Sequence, residues 1–215
     1  MQAGPRFLVF TRAPDPGQVK RRLIPTLGAQ GAADLHRFLL GRTLRTAVSA
    51  GPSEVWSTPA PHPFLSLCGR VYGLPLRAQQ GGDLGERMAR ALASALQTAP
   101  AAVLVGSDCV DLTAAELAAA RAALEAGEDA VFTPTEDGGY RLVGLRRPAV
   151  ELFEGIDWGG PTVMAQTRER LTGLGWRWRE LAPGWDVDRP EDLARLRAQP
   201  GLPAPLRRLL AAAAR

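Results

Sequence analysis

The sequence predicts an α/β domain built on a mostly parallel sheet. Short apolar runs such as residues 7–10 and 101–105 stop at turn residues, as buried strands do. Segments with helical periodicity alternate with these runs, the pattern of parallel strands joined by helical crossovers. The 215 residues, 46% hydrophobic and 22% charged, are enough for one soluble domain with a sizeable core.

Each element has its own signal. Residues 7–10 (Phe-Leu-Val-Phe) form the first strand, and a Pro/Gly turn follows it. Residues 31–50 are helical, with Leu35, Phe38, Leu39, Leu44 and Val48 on one face. Residues 54–58 give a second strand. Residues 59–82, rich in proline and glycine, read as loop with a short strand within 74–78. A helix over 84–96 opens at Gly81-Gly82-Asp83, and the strand at 101–105 ends at Gly106-Ser107-Asp108. Thr113 caps an Ala-rich helix running to about residue 126. Strands at 129–134 and 140–145 flank Gly138-Gly139, a tight pair that departs from the parallel pattern. A helix over 162–171 and a strand over 176–181 follow. Pro190 suits the first turn of the next helix, and a last helix spans 204–214 after the break at Gln199-Pro200-Gly201. The whole chain, 1–215, is expected to be one domain, with 200–215 a helical tail.

Composition narrows the function. The net charge of +4 is a small excess, without the arginine tracts and interleaved aromatics of a nucleic-acid binder, and it suits anionic small molecules. Two cysteines and two histidines give neither a zinc cluster nor a disulfide framework. No secretory leader and no run of membrane-spanning length is present, so the cytoplasm is the expected location.

Four segments could carry chemistry, three of them at strand ends, where open parallel sheets bind ligands. Lys20 is the sole lysine among 26 basic residues, and it lies in the turn after the first strand with Arg12, Arg21 and Arg22. Lysine is a compact point charge and arginine a planar fork, so its choice here points either to a need for a point charge or to a codon-biased genome. The turn is neither a P-loop nor a dinucleotide fingerprint; it is a phosphate cradle or a solvated basic turn. Asp108, at the end of a buried strand, is placed to hold a hard cation. Asp111 follows three residues on, as a second acid or as the start of the next helix. Alternation puts Asp186 and Asp188 on one side of an extended segment. Glu136-Asp137-Gly138-Gly139 is a close backbone approach to a ligand or a plain hairpin turn.

In this order the segments resemble a bacterial family of GT-A type nucleotide-diphospho-sugar transferases, long filed as a domain of unknown function and including arsenosugar-biosynthesis glycosyltransferases. The pieces that match are the run from Pro14 to Leu23, Gly82-Asp83-Leu84-Gly85-Glu86-Arg87-Met88, Gly106-Ser107-Asp108-Cys109, the run from Glu136 to Leu145, Phe153-Glu154-Gly155-Ile156-Asp157-Trp158, and Asp186-Val187-Asp188 leading into Pro190-Glu191-Asp192-Leu193. The resemblance spans about residues 7–196. It implies a Rossmann-like three-layer sandwich that binds a nucleoside diphosphate through Mg²⁺ or Mn²⁺. Asp108 and Asp188 match the acidic metal positions. Lys20, Arg12 and Arg22 match the basic loop over the phosphates, with Gly17, Ser107, Gly138 and Gly139 as further nucleotide-binding positions. The chain departs from the family at Arg21, where Thr is common, and at Val110, where Pro is common. Residues 59–80, the region that would select the substrate, match no motif, so the substrate stays open.

The reaction expected from the resemblance is transfer of a glycosyl group from a nucleotide-sugar. Lys20 and Arg22 would steady the leaving diphosphate. Asp137, with Glu136 second, would serve as the acceptor base of an inverting enzyme. Two alternatives stand beside it: a nucleotidyltransferase releasing pyrophosphate, and a nucleotide-binding module without catalysis.

Overall fold

Apolar runs become strands, and the strands order the helices. The computed structural model describes residues 4–212. In chain order the elements are β1 (Arg6–Arg12), α1 (Ile24–Ala50), β2 (Ser53–Thr58), α2 (Pro63–Tyr72), β3 (Leu76–Ala78), α3 (Leu84–Leu96), β4 (Ala102–Gly106), α4 (Ala114–Glu125), β5 (Ala130–Pro134), β6 (Tyr140–Leu145), α5 (Val163–Gly173), β7 (Trp178–Glu180), α6 (Asp192–Arg197) and α7 (Ala204–Ala212). The strands form one sheet in the order β3-β2-β1-β4-β6-β5-β7. β1 pairs in parallel with β2 and β4, β2 with β3, and β5 with β7. Among the described strands only β6 runs against its neighbours, β4 and β5. That departure falls at the hairpin turned by Gly138-Gly139.

Period-two alternation sends side chains to two cores. Phe7, Val9, Val103 and Val105 face one side, where they pack with Leu40 and Leu44 of α1, Leu65 of α2 and Leu117 of α4. Leu8, Phe10 and Leu104 face the other, against Met88 and Leu92 of α3 and Met164 and Leu171 of α5. The result is a Rossmann-like three-layer α/β sandwich. A third cluster joins Leu35 and Leu39 of α1 to Val110, Trp185, Val187 and the leucines of α6 and α7. It brings the 185–188 segment back beside the end of β4, where Cys109 bridges Asp186.

The structure corrects several expectations. α1 begins at Ile24 rather than residue 31; Pro25 fits its first turn, and Gly28, at φ 70, kinks it without ending it. Its inward face uses Leu40 and Ala47, while Val48 is exposed. The stretch expected to be loop contains α2, whose Leu65 and Cys68 are buried one turn apart. Pro63 opens that helix at its first position and Gly73 caps its end, so residues that look like breakers bound it. Pro190 precedes α6 rather than sitting in its first turn, where Asp192 stands. The expected end of the last helix, beyond Ala212, lies outside the described residues.

Candidate functional site at the strand ends

A cleft of about 870 Å³ opens where β1 and β4 end. Its lining includes Arg12, Lys20, Arg21 and Arg22 from the basic turn, Gly106-Ser107-Asp108-Cys109 after β4, and Asp186 and Asp188. Gly82, Asp83, Leu84, Arg87 and Met88 line it from the start of α3, and Tyr140, Val143 and Trp158 from the far side of β4.

Lys20 is the centre of the charged part. Its backbone is left-handed (φ 48), and among the described residues no other non-glycine has positive φ. Its side chain is 2% exposed, and Nζ lies 2.9 Å from Asp108 Oδ1. Nζ also donates to the Val187 carbonyl at 2.5 Å. Lys20 therefore braces the end of β4 against the acid-bearing segment. His36, on the buried face of α1, approaches the same Asp108 oxygen with Nδ1 at 3.3 Å. Its Nε2 contacts the Arg12 carbonyl at 3.1 Å and Thr11 Oγ1 at 3.2 Å. Asp108 Oδ1 is enclosed and lacks an aligned hydrogen bond, so these are close charge contacts. The side chain as a whole is 44% exposed, and that exposure falls on atoms other than Oδ1. Burial pushes the Asp108 carboxyl up, but Lys20 and then His36 outweigh it and hold it well below the usual carboxylate range.

Asp186 has the opposite character. Burial first, and the Asp108 charge second, push its pKa up to about 7 against the pull of Lys20 and Arg141. Its Oδ1 is buried without a partner. Asp188 is more open and pairs with Arg22 at 2.6 Å. Asp108 and Asp186 are the pair that could hold a divalent cation: two carboxylates that repel each other, each with a buried oxygen that lacks a hydrogen bond. Among the described residues no three His, Cys, Asp or Glu side chains cluster to cage a metal. Two carboxylates hold a hard cation best when substrate phosphates complete its oxygen shell.

Of the expected site residues, Arg12, Lys20, Arg22, Ser107, Asp108 and Asp188 come together in the cleft. Gly17 and residues 136–139 are not in its lining. Glu136 pairs with Arg195 on the surface at 2.8 Å. Asp137 Oδ1 accepts from Thr135 Oγ1 at 2.6 Å and from the Gly139 amide at 3.2 Å, closing the hairpin turn. A side chain at Gly138 would collide with the Pro161 carbonyl, which accounts for that glycine by packing. Asp111, partly exposed, pairs with the buried Arg141, whose guanidinium also takes Glu116, and Thr113 alone does the capping of α4. Sequence reasoning missed His36, which looks like any core residue on an apolar helix face. It also missed Gln79, whose Nε2 donates to the Thr11 and Trp56 carbonyls and ties the ends of β1 and β2 together.

The family described as "Uncharacterized protein conserved in bacteria (DUF2064)" matches residues 43–160, more than half of the chain. The chain belongs to this DUF2064 family. A crystal structure from Desulfovibrio desulfuricans G20, provisionally named a nucleotide-diphospho-sugar transferase, superposes with a TM-score of 0.88 at 28% identity, covering 99% of this chain and 97% of that one. The inositol-1-phosphate CTP transferase of T. maritima shares the fold at a TM-score of 0.60 and 10% identity, over 99% of this chain and 98% of its own. Rv0371C of Mycobacterium tuberculosis H37Rv, in complex with manganese, shares it at 0.52 and 20%, over 90% of this chain and 97% of its own. No curated protein matches this DUF2064 member. Among its described residues no helix is long and apolar enough to cross a membrane.

Proposed function

We propose that this protein is a nucleotide-binding transferase that moves a glycosyl group from a nucleotide-sugar to an acceptor. The observation that carries the reading is the convergence of a basic turn and three acids on one cleft at the strand ends. The likeness to the D. desulfuricans protein over 99% of the chain supports the nucleotide-sugar as donor. Arg12, Arg21 and Arg22 line the cleft from the basic turn, and their forks suit phosphate oxygens. Binding a diphosphate would draw Arg22 from Asp188 and free that carboxylate. Asp108, with Asp186 and Asp188, would hold Mg²⁺ or Mn²⁺, which supplies charge neutralisation on the leaving diphosphate. Manganese in the structure of Rv0371C, a protein of the same fold, is in keeping with this. Lys20 and His36 fix the orientation of Asp108 in this scheme. Asp137 and Glu136, outside the cleft lining, are not assigned a proton-transfer role.

A second reading, a nucleotidyltransferase, is favoured by one observation. Arg12 and Arg21 line the cleft without an ion-pair partner among the described residues, beyond the cations already tied to Asp108 and Asp188. A triphosphate would use that surplus. A thermal-shift screen of nucleoside di- and triphosphates and nucleotide-sugars, with and without Mn²⁺, tests both readings. Stabilisation by nucleotide-sugars followed by release of the nucleoside diphosphate supports glycosyl transfer. Pyrophosphate release from a triphosphate supports the second reading. Tight binding without turnover points to a binding module, and no shift with any nucleotide overturns all three.

A further inference from the structure

The ammonium of Lys20 lies where the two acid-bearing segments meet. It is 2.9 Å from Asp108 Oδ1 at the end of β4 and 2.5 Å from the carbonyl of Val187, the residue between Asp186 and Asp188. Two oxygens from two segments thus converge on one enclosed cation. Its charge also bears on Asp186, whose own Oδ1 has no partner. A lysine kept for binding phosphate would present its head to the cleft. This one borders the cleft with a side chain only 2% exposed, and its ammonium bonds inward to the Val187 carbonyl, while Arg12, Arg21 and Arg22 stand exposed in the basic turn. The backbone is committed to the same end, because Lys20 accepts a left-handed conformation that a non-glycine residue normally avoids.

We infer that Lys20 is a built-in counter-cation that occupies the place of a divalent ion between Asp108 and the 186–188 segment, so that a free metal ion enters only against it. A doubly charged ion beside a fixed ammonium is repelled, and an Asp108 already neutralised has less attraction to offer. Phosphate oxygens arriving with the nucleotide would change that balance, whereas the nucleotide-free protein binds divalent ions weakly. The inference rests on the reading of Asp108 and Asp186 as the acid pair of the proposed site. It assigns Lys20 a role opposite in sign to that of a phosphate ligand: removing its charge strengthens metal binding instead of weakening it.

Mn²⁺ titration of the nucleotide-free, full-length chain, followed by the electron paramagnetic resonance signal of free Mn²⁺, tests this directly. Wild type, Lys20→Gln and Lys20→Met are compared, together with Lys20→Gln/Asp108→Asn. The expected result is Mn²⁺ binding about tenfold or more tighter in the single variants, as removal of one nearby charge implies, and loss of that gain in the double variant. Equal or weaker binding in folded Lys20→Gln overturns the inference. Should the single variants unfold because Asp108 is left without its partner, thermal melts with Mn²⁺ decide: recovery of the folded state by Mn²⁺ supports the inference, and no recovery overturns it. Nucleotide binding by the wild type is read separately by thermal shift. Its absence, with Mn²⁺ binding tightened as expected, sinks the transferase reading and leaves the role of Lys20 standing.

Discussion

Lys20 and His36 approach the same oxygen of Asp108, at 2.9 and 3.3 Å, the first from the β1–α1 connection and the second from within α1. The carboxylate is thereby aimed by two elements, the basic turn and the long first helix. Lys20→Ala removes the nearer charge and leaves the enclosed oxygen with only the longer His36 contact. The pair is partly open to the cleft, so the expected loss is smaller than for a fully buried pair, about 1–3 kcal/mol. Chemical denaturation at pH 7 measures it. Lys20→Arg keeps the charge but puts a planar fork into a pocket shaped for an ammonium, and an equal or larger loss is expected. A wild-type midpoint for Lys20→Arg would show that the pocket does not discriminate shape.

Asp186 gives the protein a pH dependence of defined sign. Its folded pKa, pushed up to about 7, exceeds the ordinary value of 3.8. Between these values the folded state keeps a proton that the unfolded chain has released. The stability contributed is therefore complete below about pH 4 and is lost as pH rises through about 7. Asp186→Asn lacks this titration, so in EDTA its stability relative to wild type climbs from pH 4 to pH 8. At about 1.4 kcal/mol per unit, reduced because the residue is only partly buried, the climb should be on the order of 2 kcal/mol. Melts at both pH values in EDTA suffice. A difference that stays flat removes the assigned proton from Asp186.

Strand ends were the most legible part of the molecule. Apolar runs closed by small residues identify β1 and β4, and alternation identifies the side on which Asp186 and Asp188 lie. Helix boundaries were hidden where proline and glycine cap or kink rather than break, as at Pro25, Gly28 and Pro63. Cleft residues contributed by the turns could be read because charge at a strand end is unusual. His36 could not, since its role depends on α1 crossing the end of β1, a tertiary fact. The hairpin at 136–139 reads two ways for the converse reason. Two acids beside two glycines suit a ligand site and a tight turn equally, and packing on Pro161 accounts for Gly138 in the turn.

That distinction has a measurable consequence at Asp137. Its carboxylate accepts two local hydrogen bonds, so Asp137→Ala should loosen the hairpin by about 1–2 kcal/mol. Nucleotide binding should stay within about threefold of wild type, because local hydrogen bonds carry the role. Calorimetry at a temperature where the variant is folded checks this. A loss of binding well beyond threefold, with the fold intact, would return Asp137 to the list of site residues.

Gly85 shows how closely the cleft wall is fitted. It lies in the first turn of α3, directly against Trp158, a residue of the cleft lining. A Cβ at this position would stand 2.6 Å from Trp158 Nε1 and 2.7 Å from the Phe153 carbonyl. Neither neighbour can yield easily: one is backbone, and the indole stacks on Phe153 and meets Tyr140 edge-on. Gly85→Ala therefore has to push α3 from the 153–158 segment or rotate the indole into the cleft. Overpacking of this kind destabilises by about 1–3 kcal/mol, and here it also reshapes the wall that a substrate would touch. The expected signature is a lower melting temperature together with a changed tryptophan emission, both relieved in Gly85→Ala/Trp158→Leu. If Gly85→Ala melts as wild type does, the fit between α3 and the cleft wall is looser than these distances imply.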